Sequence, residues 1–244
     1  MTISAVVLGG GNPNDPLALE AGVAVKSLIR IGHQVMAAYV LQALRAGGVQ
    51  NIVYVGPIVP ELEPFISTHV PARGTMLENL QAGLEPLKSE SRVLISTADI
   101  PLLSQAAVED ILAKDVGIGL VYPVVSKESA ERAFSGGKRT YARLREGTFT
   151  GGNLFLLEPR LINAFLPRLE YVLAHRKNVI RLAGMFGIGA LLKLLIGQLS
   201  KTELEQTVSR ILGVPAQALV TEFAEIGFDV DKRSDLEMVV ERLK

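Results

Sequence analysis

Short apolar runs alternate with stretches of helical spacing along most of this chain, and that alternation narrows its possible folds more than any other feature. The runs lie at residues 3–8, 51–56, 92–97, 119–125 and 154–157. Between them, Val35, Met36, Tyr39, Val40, Leu41 and Leu44 repeat at helical spacing within 34–47, and Gly47-Gly48 closes that helix. Met76, Leu80 and Leu84 mark a helix over 76–87, and another is expected over 104–113. Strands alternating with helices predict an α/β class with a doubly wound, mostly parallel sheet.

After Glu158-Pro159 the pattern changes, and residues 160–222 read as nearly all helix. An α/β pattern then returns, with a final strand at 225–228 and a helix over 234–243 N-capped by Ser234. We therefore expect one domain over 1–244 carrying a helical insertion at 160–222. Residues 182–199 are strongly apolar, with Lys193 as the only charge. About 20 apolar residues are needed to cross a bilayer, so this stretch fits a core helix or a subunit interface better than stable membrane insertion. Surface attachment and a homodimer both stay open. The N-terminal run lacks a basic region before it and stops at Gly9, as a first strand would and a signal peptide would not.

Composition removes several function classes. With 25 basic and 25 acidic side chains the chain has no net charge to draw it to nucleic acid or an anionic membrane. Without cysteine it has no disulfide, thiolate metal site or cysteine nucleophile, and it suits a cytoplasmic location. His33, His69 and His175 are scattered, without metal-ligand spacing, and no Gly-x-Ser-x-Gly elbow occurs.

The chemistry-bearing residues sit at the ends of apolar runs. Asp99 follows the run at 92–95, and Asp229 and Asp231 follow the one at 225–228. In α/β folds this places acids at the ligand-binding rim of the sheet, where carboxylates distant in sequence can meet on a divalent cation. An acid flanked by Ala98 and Ile100-Pro101 is costly to bury unless paired or metal-bound, and Ser104 is better placed to cap the next helix. Asp229 and Asp231 share a face if extended; we expect one to be a ligand and the other structural.

Gly9-Gly10-Gly11 after the first strand permits close backbone approach to a base, ribose or phosphate, yet matches neither a phosphate-binding P-loop nor a dinucleotide fingerprint. Lys26 closes the polar, loop-like stretch 12–32 and can meet phosphate oxygens as a point charge. Arg73-Gly74-Thr75 precedes a helix and is a candidate for nucleotide contact. Gly151-Gly152-Asn153 offers close approach and an amide for a hydroxylated ligand. The basic segment 138–145 puts Arg139, Tyr141 and Arg143 on one face, either toward an acidic substrate or toward solvent. Taken singly, each glycine pair also reads as a tight turn and each lysine or arginine as a solvated cation.

Together these residues resemble the nucleotidyltransferase superfamily of GT-A-like, Rossmann-like fold, near the molybdenum-cofactor guanylyltransferases and the sugar-1-phosphate nucleotidyltransferases. The resemblance rests on residues 5–11 (Ala-Val-Val-Leu-Gly-Gly-Gly), Lys26, residues 97–103 (Thr-Ala-Asp-Ile-Pro-Leu-Leu) and residues 229–236 (Asp-Val-Asp-Lys-Arg-Ser-Asp-Leu), in the family's order. It covers 1–157 and 223–244. It implies a Mg²⁺-dependent transfer of NMP from an NTP to a phosphorylated small-molecule acceptor, with release of pyrophosphate. By the same resemblance, Lys26 and Asp99 are catalytic, and Mg²⁺ is held by Asp99 with Asp229 or Asp231. Leu8, Gly9, Gly10, Gly11, Arg73, Gly74, Thr75, Asn79, Gly152 and Asn153 hold the substrates. Two departures stand out. The family's arginine between the glycines and the lysine is missing from the longer segment 12–25, and the block 160–222 has no counterpart in the small guanylyltransferase. A nucleotide-binding protein without turnover, a GT-A glycosyltransferase and a membrane-peripheral protein are the competing readings.

Overall fold

The computed structural model describes residues 3–134, 139–175 and 186–244. The N-terminal run forms β1 (Ile3–Leu8), its four central residues buried between two helical layers. Parallel neighbours flank it on both edges, β4 (Val49–Val55) and β6 (Val93–Thr97), and β5 (Thr68–Val70) extends β4. Beyond β6 the sheet becomes mixed. There β10 (Leu154–Leu157) runs antiparallel to both β6 and β7 (Leu120–Ser126), and after α5 (Lys127–Ala133) the hairpin β8 (Ala142–Leu144) with β9 (Gly147–Gly151) continues the edge. The expected α/β class and mostly parallel mixed sheet are therefore present, with nine strands among the described residues. Two short strands, β2 (Arg30–Ile31) and β3 (Gln34–Val35), form a separate ribbon beside the site.

Side-chain alternation along β1 assigns its two faces. Ala5 and Val7 pack with α2 (Met36–Ala46) and α4 (Gln105–Ala113), while Val6 packs with α3 (Met76–Leu84), α6 (Ile162–His175) and α8 (Lys201–Leu212). The approach of α3 is close. A Cβ on Gly83 would fall 2.5 Å from Val6 Cγ1 and 2.7 Å from Val55 Cγ2.

Four expectations need correction. First, residues 12–32 are not one loop: Asp15 caps α1 (Pro16–Glu20), its carboxylate accepting from the Leu17 and Ala18 amides, with Pro16 in the first turn. Second, 160–222 is not nearly all helix. Besides α6, α7 (Ile188–Leu195) and α8 it holds β11 (Ala216–Thr221), which pairs parallel with β7 along its full length. Gly213, left-handed at φ 72°, ends α8 before Val214-Pro215 turns the chain into that strand. Third, the last apolar run is a 3-10 turn, Ala224–Gly227, whose Ile226 carbonyl is capped by the Asn153 amide rather than by a strand neighbour. Fourth, the closing helix, α9 (Arg233–Arg242), starts one residue before Ser234, so Ser234 is not its cap; nearby, the buried Asp235 carboxylate accepts from the Asp231 amide. The apolar stretch 182–199 is only partly described, since 182–185 lie outside the described residues. Among the described residues no helix is long and apolar enough to cross a membrane.

Candidate active site

Three chain segments converge at the C-terminal ends of β1 and β6. The Ala98 amide donates to the Leu8 carbonyl, which seats Asp99 beside the glycine turn. Behind it Leu103 bonds back to Ile100, and Ser104 caps α4 through the Ala107 amide, leaving the Asp99 carboxylate free of capping duty as expected. The Val230 amide donates to the Asp99 carbonyl at 2.9 Å, stitching the 229–231 turn to the same point. One carboxylate oxygen from each of Asp99, Asp229 and Asp231 lies within 4.8 Å of the others. The structure thus brings both late acids to the cluster. A further acid, Asp235, 1 % exposed, holds the turn by accepting from the Asp231 amide.

Lys26, at the start of a 3-10 turn (Lys26–Leu28), bridges two of the three acids. Its Nζ lies 3.1 Å from Asp99 Oδ2 and 3.0 Å from Asp231 Oδ1, and donates to the Val230 carbonyl at 2.9 Å. Burial opposes the ammonium charge, but Asp99 and Asp231 outweigh it and hold Lys26 above the ordinary lysine value. Asp231 is likewise opposed by burial, yet its bond to Lys26 leaves it below the usual carboxylate range. Asp229 has no such bond to Lys26. Burial first, then the charges of Asp231 and Asp99, push it up to about 6.

The cluster fits a hard divalent cation. It offers only carboxylate oxygens, it concentrates more negative charge than Lys26 neutralises, and Asp99 Oδ1 is buried without a partner. Arg139 braces the turn that carries two of the acids. Its Nη2 donates to the Asp229 carbonyl at 3.0 Å, its Nη1 lies 3.8 Å from Asp235 Oδ2, and its guanidinium stacks 4.3 Å over the Phe228 ring. Arg139 therefore faces the 228–235 turn. Periodicity in the basic segment pointed to its face without naming its partner.

The glycine turn is tight for a specific reason. A Cβ on Gly9 would fall 2.1 Å from Tyr54 Oη, and one on Gly10 would meet Ala72 Cβ at 2.7 Å and Asn79 Nδ2 at 3.0 Å. The Gly9 and Gly10 amides both donate to the Val55 carbonyl, so these two are committed within the fold rather than pointing to a ligand as expected. Ser27, missed in the sequence, secures the turn through its hydroxyl to the Gly9 carbonyl at 2.7 Å. Asn79 stands across from Gly10. Its Oδ1 accepts from the Arg73 amide at 2.6 Å, while its Nδ2 is buried without a partner. Thr75 caps α3 in a reciprocal box with Glu78, and Gly74 takes φ 128°, which brings the chain into that cap. On the opposite side, Asn153 clamps two segments. Its carbonyl accepts from the Thr97 amide and its amide donates to the Ile226 carbonyl. Leu8, Gly152 and Asn153 border a cavity of about 540 Å³.

The glycine turn with its partly satisfied asparagine, the three carboxylates with Lys26 at the sheet rim, and the flanking cavity form one continuous site. The family model of the MobA-like NTP transferase domain matches residues 5–182, and the chain belongs to that family. A hypothetical transferase from Thermus thermophilus is 48 % identical over 97 % of this chain and 100 % of its own, with a TM-score of 0.89. A nucleotidyl transferase from Methanothermobacter thermautotrophicus shares 16 % identity, covering 99 % of this chain and 97 % of its own, at a TM-score of 0.60. A CMP:2-keto-3-deoxy-manno-octonic acid synthetase solved with CTP shares 14 %, covering 100 % and 98 %, at 0.61. These last two likenesses concern fold alone. No curated protein matches the chain.

Proposed function

We propose that this nucleotidyltransferase is Mg²⁺-dependent and joins an NMP unit to a phosphorylated small molecule. The observation that carries the reading is the carboxylate triad of Asp99, Asp229 and Asp231 with Lys26 bonded to two of its members. Mg²⁺ held by these acids would neutralise charge on the phosphates undergoing transfer. Lys26 would exchange its carboxylate partners for NTP phosphate oxygens as a point charge. Asn79 Nδ2 and Gly11, beside the tight turn, would receive the base, with Arg73 at the mouth. Asn153 and Gly152 would border the acceptor. An acceptor phosphate oxygen attacks the α-phosphorus in line, the bond from α-phosphorus to the bridging oxygen breaks, and pyrophosphate leaves. The protein's part is positioning and charge compensation, with no covalent intermediate.

We assign the reaction to the cytoplasm, in keeping with the cysteine-free chain. We also assign the chain to a homodimer, a reading supported by Ile188, Leu192, Leu195 and Ile196, exposed along one stripe that begins on α7. Sedimentation velocity tests this, since Leu192→Glu should yield monomer if the stripe is the interface.

The deciding experiment incubates the purified protein with each NTP, Mg²⁺ and a pool of phosphorylated sugars and cofactor precursors, and measures pyrophosphate. Release that falls at least about 100-fold in Asp99→Ala supports the proposal. An NTP that raises the melting temperature without any release across a broad acceptor pool would overturn it.

A further inference from the structure

We propose that the acceptor is amphiphilic, a phosphomonoester whose hydrocarbon body lies in the cavity beside the acid cluster. This deepens the transferase reading and rests on it. The cavity, about 540 Å³, lies between the sheet and α3, α6 and α8, and falls in the size range of small-molecule sites.

Polarity is confined to its ends. At the near end are Leu8 and Thr97, the last residues of β1 and β6, with Asp99 following Thr97 by two positions. Thr97 Oγ1 is buried there without a partner. Tyr122 lines the cavity with its hydroxyl turned toward this end, where a Cβ on Gly151 would meet it at 2.5 Å. At the far end the polar groups answer one another. Lys201 Nζ lies 3.1 Å from Glu205 Oε1, which also accepts from the Ala218 amide at 2.9 Å.

Between these ends the wall is hydrocarbon and aromatic, from Leu80, Val124, Phe149, Phe155, Leu204 and Val208. A sugar body placed there would give up hydrogen bonds to water and find none in return, which is unfavourable for each hydroxyl. A hydrocarbon body gains affinity with every methylene it buries. The near end places a phosphate head at the edge of the charged cluster, where Lys26 and the Mg²⁺ of the proposed function would meet it. In the transfer an oxygen of that head forms the new bond to the α-phosphorus as pyrophosphate departs, so no oxidant or reductant enters.

The chain has no tryptophan, so Phe149→Trp carries a single reporter in the cavity wall. Dodecyl phosphate should shift its emission to the blue and saturate below the micelle concentration, whereas glucose 1-phosphate should not. With Mg²⁺ and the preferred NTP, geranyl phosphate should show a KM at least about tenfold below that of glucose 1-phosphate. Ala142→Phe and Ala218→Phe fill the cavity from different walls. Either variant, if it keeps the wild-type melting temperature, should lose the emission shift and the preference while an NTP still raises its melting temperature. Absence of the shift, or pyrophosphate release with glucose 1-phosphate and none with geranyl phosphate, overturns this proposal and leaves the transferase reading standing. An intact shift with no pyrophosphate from any acceptor overturns the acceptor role and the transferase reading together.

Discussion

Lys26 is the residue on which the site's charge balance turns. It is the cation within bonding distance of both Asp99 and Asp231, and it is itself largely buried. Lys26→Met should leave facing carboxylates without compensation. Losing one partner of a fully buried pair costs about 3–5 kcal/mol, so for this partly exposed cluster we expect about 2 kcal/mol, measured by denaturant unfolding in chelator. Mg²⁺ should restore more stability to the variant than it adds to the wild type, since it replaces the missing charge. Asp229 gives the opposite sign. Its carboxyl is pushed up to about 6 by burial and then by its acidic neighbours, so the folded state holds its proton more tightly than the unfolded chain does. Stability from this group is present below the ordinary carboxylate value and is lost as pH rises through about 6. Asp229→Asn in chelator should therefore melt about 2–4 °C above wild type at pH 8 and match it at pH 4, read by calorimetry. A variant less stable at pH 8 would refute that account.

Elements decide how near the glycine turn can come to its neighbours. In an exposed helix, Gly→Ala stabilises by about 1 kcal/mol. Gly83 of α3 instead rests against Val6 and Val55, where a Cβ would lie 2.5 and 2.7 Å from their methyl carbons. Gly83→Ala should thus destabilise by about 1–3 kcal/mol, measured by urea unfolding, because both valines sit in strands that cannot retreat. Those strands end at Leu8 and Val55, the latter capping the Gly9 and Gly10 amides, so the same variant should also weaken NTP binding in a thermal-shift titration. At this scale helices α2, α3 and α4 were readable from apolar spacing, since each buries one stripe against the sheet. Strand β11 was not. Its side chains are mostly half-buried, which blurs the apolar signal, and the stop signal before it, Gly213 followed by Val214-Pro215, was the cue available.

At the scale of the molecule, Lys26, Asp99 and the 229–231 turn are far apart in the chain and joined by few bonds, among them Val230 to Asp99 and Lys26 to Val230. A ligand held by all three acts as a tether between them. Mg²⁺ with the preferred NTP should raise stability by about 2.7 kcal/mol at a hundredfold excess over its dissociation constant. Hydrogen exchange should slow in the segments 26–31, 97–103 and 226–233 together. Protection confined to the glycine turn would mean that the nucleotide binds without engaging the acids.

The main strands and helices of the first two-thirds of the chain, β1, α2, β4, α3, β6, α4, β7 and β10, were legible from local pattern, and so were Asp99, Asp229, Asp231 and Lys26 as candidate site residues. Runs buried on both faces must be continuous and apolar, and a lone acid at the end of such a run needs a cation. What joined those residues was decided only in three dimensions. The meeting of both late acids with Asp99, the seating of Lys26 between them, the brace of Arg139 and the structural duty of Asp235 all depend on contacts between segments far apart in sequence. The apolar cavity belongs to the same class. Its walls come from α3, α6, α8 and the sheet, and each residue in it reads locally as ordinary core. Periodicity tells that a side chain is buried; only packing tells whether what it faces is another side chain or empty space.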